Sequence, residues 1–332
     1  MEIGTTLESF LGHFNRAIGA STAEVPVAEV WRETNLIARI SAIKKELGAQ
    51  GINVSALPSS HALVEQLQRI GLATPLEAGP GSTGRPPKFY RIEIGADRGS
   101  KPTDVSEILQ AYLPRGVLCY SSALRYYHLT SQTFSFQHIA DITSTNDDGA
   151  SGRKGSAAVE SEQPSVEAPG AEMKRGPAKA RNALGVLRFV FDGMACYTTR
   201  RHPHTMPGIQ ERVLSPRARL RITTFEQTLL DTLHRPFYCG GPAIVFEAWQ
   251  QHPEKLNPSK LTQLLAAIGN DTLTRRTGLM LDNLEYALEP GLAGFMSEVL
   301  GRIDRKEGRN LLPLLPGLPY TSLNEKWMLL VP

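Results

Sequence analysis

Two stretches of the chain gather side chains able to recognise a polyanion. The first runs from Ser59 to Ile94. Its Ser59–Ile70 part places Leu63, Leu67 and Ile70 on one helical face by their spacing of four and three. The opposite face carries His61, Glu65, Gln68 and Arg69, with Ser59 and Ser60 at its start. Such side chains reach base edges or phosphates in the major groove. Further on, Arg85 sits in Gly84-Arg85-Pro86, where a planar guanidinium on a narrow, proline-braced tip suits a minor groove. Lys88 and Arg91 follow as candidate phosphate contacts. The plainer alternative is an ordinary helix and hairpin with a solvated polar face. The second stretch is Thr198 to Ile222. In it Arg217, Arg219 and Arg221 alternate with Ala218, Leu220 and Ile222. If extended, the three arginines share a face, a row suited to phosphate or a partner's carboxylates. A solvated strand face, or ion pairing with Glu226 and its neighbours, is the competing reading of that row.

The elements that must position the first group are visible locally. Ser59 or Ser60 is a natural N-cap after Pro58, and Gly71 suits the left-handed residue that closes a helix. Leu72 to Leu76 reads as extended, Gly79 to Gly84 as a loose hairpin tip, and Lys88 to Ile94 as the returning strand. In that strand Phe89, Arg91 and Glu93 alternate with Tyr90, Ile92 and Ile94. A helix followed by a basic hairpin is the pattern of a winged helix-turn-helix. Upstream, Thr6 to Ile18 is amphipathic through Leu7, Phe10, Leu11, Phe14 and Ile18. Val27 to Gly48 contains a further helix on Leu36, Ile40, Ile43 and Leu47, with Arg39, Lys44 and Lys45 off that stripe.

Other residues able to do chemistry do not assemble into a catalytic pattern. There is no Walker loop and no Gly-x-Gly-x-x-Gly. Ser121-Ser122 lacks the Gly-x-Ser-x-Gly setting of a nucleophile elbow. His202-Pro203-His204 has no carboxylate or cysteine ligand close in sequence. Glu226 and Asp231 stand five apart on a helix, the wrong offset for a dedicated acid–base pair. Cys119, Cys196 and Cys239 are widely spaced, so neither a zinc site nor a disulfide framework is expected. The expectation is a protein without catalytic activity, metal or cofactor.

The chain has 332 residues, 41% apolar and 21% charged, with a formal net charge of +3. That composition is globular, and the charge is too small to signal nucleic-acid binding, so the case rests on local patches. The first 96 residues are themselves near neutral. No apolar run is long enough to span a bilayer, and the first residues lack the basic region of a secretory signal, so a cytoplasmic protein is expected. Polar Gly95 to Thr103 marks a boundary. Residues 144–182 are rich in Ser, Gly, Ala, Glu, Pro and Lys and are expected to be a disordered insertion. Strand-like Phe134–Ile142 and Leu184–Phe191 flank it and should share a sheet. Helices follow from Thr223 or Thr224 onward, ending in a strand at NEKWMLLV. The fold class expected is α+β: a winged helix-turn-helix over residues 1–96, then a mixed α/β domain over 97–143 and 183–332.

From Arg221 the chain reads Ile222-Thr223-Thr224-Phe225-Glu226-Gln227-Thr228-Leu229-Leu230-Asp231, with Gly240-Gly241 ahead of the next helix. This resembles the C-terminal domain of AbiEi-type antitoxins, which show a strand, Thr-Pro-Glu-x-Thr-Leu-Leu-Asp and a Gly-Gly turn. Phe225 replaces the usual proline; Glu226, Thr228, Leu229, Leu230 and Asp231 match. Tyr120-Ser121-Ser122-Ala123-Leu124 with His128-Leu129-Thr130, Arg276-Thr277-Gly278-Leu279-Met280-Leu281, and Leu312-Pro313 with Lys326-Trp327 resemble further segments. The likeness covers about residues 105–331. It implies an autorepressing antitoxin of a type IV toxin–antitoxin, phage-defence operon. Such a protein binds double-stranded DNA at its own promoter, on inverted repeats, and counters a nucleotidyltransferase-like toxin with or without touching it. The longer N-terminal region and the insertion depart from that family. They leave open a stand-alone winged-helix regulator whose C-terminal domain binds a ligand or a protein.

Overall fold

A computed structural model describes residues 2–19, 29–82, 84–93, 102–143, 184–215, 218–303, 311–316 and 318–332. The expected insertion at 144–182, Arg217, and most of the expected 95–103 boundary lie outside the described residues. The fold is mixed α and β, with several sheets.

The first elements are α1 (Glu2–Gly19), β1 (Val30–Arg32), α2 (Glu33–Ala49), α3 (Ser60–Arg69), β2 (Ala73–Leu76), β3 (Gly79–Pro80) and β4 (Phe89–Ile92). Strand β1 lies ahead of α2 within the Val27–Gly48 stretch, where the spacing predicts only a helix because three residues carry no periodicity. β4 lies between β1 and β2, antiparallel to both. Helices α1, α2 and α3 bury Phe10, Phe14, Leu36, Ile40, Leu63 and Leu67 against Trp31, Tyr90 and Ile92 of this sheet. On α3 the buried residues are Leu63, Val64 and Leu67, while Ile70, expected on that stripe, is 49% exposed at the helix end.

The other side of the small sheet is covered as well. Val30 and Phe89 join a cluster with Ile108, Leu109 and Phe189 from the rest of the chain, and the Phe89 and Phe189 rings lie 5.2 Å apart. β4 is therefore covered on both sides, Phe89 facing the body and Tyr90 and Ile92 the helices, with Arg91 half-buried. The loop between β2 and β4 is also not a loose tip. Gly79 and Pro80 pair antiparallel with Val190 and Phe189, and the Ser82 amide and hydroxyl both donate to the Leu187 carbonyl, at 3.0 and 2.9 Å.

The body continues through α4 (Val105–Tyr112), β5 (Val117–Cys119), α5 (Ser121–Tyr127), β6 (Phe136–Ile142), β7 (Val186–Phe191), β8 (Met194–Arg201), β9 (Ile209–Ser215) and β10 (Ala218–Thr223). Among the described residues these strands and β3 form one seven-stranded sheet, ordered β3-β7-β8-β6-β5-β10-β9. The strands flanking residues 144–183 do share it, with β8 between them. At the junction of β5 and α5, Tyr120 takes φ 53° and ψ −126°, a conformation that costs a non-glycine residue roughly 1–3 kcal/mol. Its buried ring meets that of His138 edge-on at 5.6 Å and lies tilted against that of Tyr238 at 4.9 Å.

A helical layer follows: α6 (Phe225–His234), α7 (Pro242–Gln250), α8 (Pro258–Ile268), α9 (Asp271–Asn283) and α10 (Pro290–Arg302). Thr224 caps α6 by accepting from the Gln227 amide at 3.3 Å, and Gly240 and Gly241 turn into α7 at φ 93° and 101°. Strands β11 (Leu312–Pro313), β12 (Ser322–Asn324) and β13 (Leu329–Val331) close the chain as a small sheet ordered β11-β13-β12. Two buried arginines of α9 hold it. Arg275 donates to the Trp327 carbonyl at 2.7 Å and to that of Met328. Arg276 donates to the Pro313 carbonyl at 3.0 Å and to that of Leu233 at 3.0 Å.

Candidate nucleic-acid interface

Helix α3 starts where its sequence says it should. The Ser59 hydroxyl accepts from the Ala62 amide at 3.2 Å, satisfying one of the helix's first free donors. Ser60 lies 2.9 Å, hydroxyl to hydroxyl, from Ser41 on α2, and the Lys44 ammonium donates to the Pro58 carbonyl at 2.9 Å. These contacts fix α3 relative to α2, so Ser59, Ser60 and Lys44 work first as positioning groups. His61, Glu65 and Arg69 are exposed on the face away from Leu63, Val64 and Leu67.

Gln68 differs from that reading. It is half-buried and hydrogen-bonded to the Tyr90 hydroxyl, which also donates to Glu33 at 3.3 Å. Burial first, then the Glu33 carboxylate, raise the Tyr90 pKa. Gln68 thus ties α3 to the sheet as well as edging the exposed face. Lys88 lies 3.5 Å from Glu33 with 70% of its side chain exposed, a pair of small energetic weight. Arg91 is half-buried on β4 and engaged with neighbours. Arg85 is exposed, in the loop whose start is pinned to β7.

The arginine row alternates as its spacing predicts. Arg219 is exposed and Arg221 half-buried, while Ala218, Leu220 and Ile222 are buried between them. The competing link to Glu226 is absent among the described residues. Arg219 lies 3.9 Å from Glu211 on the neighbouring strand, and Arg221 donates to the Arg115 carbonyl. Glu226 instead accepts from the Asn257 amide at 3.2 Å and lies 3.4 Å from Lys260.

Sequence reasoning missed a buried polar centre at the end of β8. Arg201 donates to Asp231 on α6 at 2.7 Å and to the Thr205 carbonyl at 2.7 Å, and Gln227 donates to the same Asp231 oxygen at 2.9 Å. The group borders a cavity of about 390 Å³ that His204 and His234 also line. Burial, then the cations Arg201, Arg235 and Arg276, hold His234 at a pKa of about 3. The only sequence signal was Asp231 itself, as a motif residue; its partner lies 30 residues upstream in a run of basic side chains.

A Ser–His contact also emerged: Ser121 and His138 lie 2.9 Å apart. His138 Nε2 donates to the Leu184 carbonyl at 3.0 Å, so Nδ1 accepts from the serine. Both residues are fully buried, and burial lowers the histidine pKa to about 4. Neither lines the cavity beside Arg201, so the pair is a satisfied core contact. All three cysteines are buried and unpaired. Burial pushes the Cys196 thiol up to about 12 and raises Cys119 and Cys239 further above the usual range. Among the described residues no cluster of three or more His, Cys, Asp or Glu could hold a metal ion, and no helix is long and apolar enough to cross a membrane.

No family model and no curated protein matches the chain. Among solved structures it is similar to the RV2827C protein from Mycobacterium tuberculosis, at 12% identity and a TM-score of 0.46, over 97% of this chain and 91% of that one.

Proposed function

We propose that the chain is a DNA-binding regulator whose N-terminal unit is a winged helix, and that it serves as the autorepressing antitoxin of a type IV toxin–antitoxin operon. The observation that carries the DNA reading is α3. Its inner face is locked by Leu63, Val64 and Leu67, while His61, Glu65 and Arg69 stand clear of the body on the outer face. The succession of helix, strand, helix, helix and two antiparallel strands around it supports the winged-helix reading. Docking such a helix in a major groove would bring Arg69 to bases or backbone, with the exposed Lys88 just ahead of β4 as a candidate phosphate contact. The antitoxin part rests on the ordered resemblance from Tyr120 to Trp327. There the matched Asp231 pairs with Arg201 and the matched Arg276 donates to the Leu233 carbonyl, contacts that hold the C-terminal body together.

The test is fluorescence anisotropy on duplexes from upstream of the protein's own gene across a salt series. Arg69→Ala should weaken binding by about tenfold, and removing a phosphate contact should lower the salt slope by about one. Unchanged affinity in both Arg69→Ala and His61→Ala would remove α3 from the interface. Co-expression with an adjacent nucleotidyltransferase-like gene tests the antitoxin part. Growth rescue supports it, and continued toxicity with the antitoxin expressed overturns it.

A further inference from the structure

A second cavity, of about 400 Å³, opens where the N-terminal unit meets the body, between α2 and β1 on one side and α4 and β10 on the other. Its size falls in the range of small-molecule sites. Its walls are largely apolar, including Trp31, Leu220, Ala38 and Ala42. The two alanines are one helical turn apart, on the face of α2 away from Leu36, Ile40, Ile43 and Leu47, and their small side chains leave the space open.

Four arginines line this hollow, Arg32, Arg39, Arg115 and Arg219, against two acidic residues, Glu29 and Glu107. Arg39 and Arg219 make long ion pairs, 3.6 Å to Glu46 and 3.9 Å to Glu211. Arg32 lies over the Tyr112 ring at 4.7 Å. Neither Arg32 nor Arg115 forms an ion pair among the described residues. Among the described residues only two neutral amide side chains line it: the Gln110 amide is already spent on the carbonyls of Leu113, Pro114 and Gly116, and Asn35 donates to the Ala111 carbonyl at 3.4 Å. A sugar or a nucleobase would find few partners, whereas an apolar body with a single negative group matches both walls and rim.

We propose that this cleft binds a small amphipathic acid. Its carboxylate meets Arg32 and Arg115, and its aromatic or aliphatic body lies against Trp31, Ala42 and Leu220. The proposal stands apart from the DNA reading, because it concerns only occupancy of the cleft.

Trp31 supplies the reporter, since Trp249 and Trp327 are buried in a different cluster. The full-length protein is titrated with 8-anilinonaphthalene-1-sulfonate while tryptophan emission is followed. Saturable quenching that disappears in Trp31→Phe is expected, with displacement by decanoate or indole-3-propionate but not by decanamide at equal concentration. Arg115→Ala, a surface change, should weaken decanoate about tenfold. Ala42→Phe should block binding while leaving the thermal melt cooperative. Quenching that persists in Trp31→Phe overturns the site. Equal displacement by decanamide, or unchanged decanoate affinity in Arg115→Ala, overturns the acid assignment.

Discussion

Arg201 on the last residue of β8 donates to Asp231 on α6 across 2.7 Å, and each side chain is only 1% exposed. The guanidinium also lies over the Tyr120 ring at 5.3 Å. Burial works against its charge, but Asp231, then Tyr120 and Cys119, outweigh that and raise its pKa above the ordinary value. The contact bolts the seven-stranded sheet to the helical layer. Removing one partner leaves a buried charge uncompensated, so Asp231→Ala should cost about 3–5 kcal/mol in denaturant unfolding. The double change Arg201→Met with Asp231→Leu should recover much of that loss. A double variant no more stable than Asp231→Ala would contradict this account.

Stability should fall on acidification through His138. Its folded pKa of about 4 lies below the ordinary 6.5 because burial disfavours the imidazolium. Between those values the unfolded chain binds the proton and the folded one does not. The contribution is therefore intact above about 6.5 and lost as pH falls toward 4, at up to about 1.4 kcal/mol per pH unit. His234, held at about 3, acts in the same direction. Urea midpoints measured from pH 7 to 4.5 should drop less steeply in His138→Gln than in the parent. Parallel curves would show that His138 is not a source of the dependence.

Two helical glycines should respond oppositely to alanine. A Cβ on Gly278 would sit 2.2 Å from the Trp327 ring, which is buried and held by Asp282 through its indole N–H at 2.6 Å. Gly278→Ala should therefore cost about 1–3 kcal/mol. Gly294 on α10 has nothing within 4 Å of the same position, so Gly294→Ala should stabilise by about 0.4–1 kcal/mol. Thermal melts of the two variants settle the comparison.

Pinning of the β2–β4 loop should depend on Gly81. A Cβ there would lie 2.2 Å from the Arg188 carbonyl oxygen, and that backbone belongs to a paired strand and cannot yield cheaply. Gly81→Ala should release the loop. The readout is faster hydrogen exchange at the Ser82 amide, which bonds to Leu187 at 3.0 Å in the parent. Unaltered protection would mean the loop is held by other contacts.

The amino-acid sequence by itself determined what depends on near neighbours. The caps at Ser59 and Thr224, the leucine-backed face of α3 with its exposed His61, Glu65 and Arg69, and the alternation of β10 were all readable, because each follows from spacing within one element. Only the tertiary structure decided what depends on distant partners. β3 pairs with a strand more than a hundred residues away. β4 is buried on both faces because the body covers its second side. Gln68 is drawn to Tyr90, and Arg201 finds Asp231. Periodicity shows which side of an element turns inward and where it ends, but not which remote segment arrives to meet it. Register and burial of charge are set by that meeting.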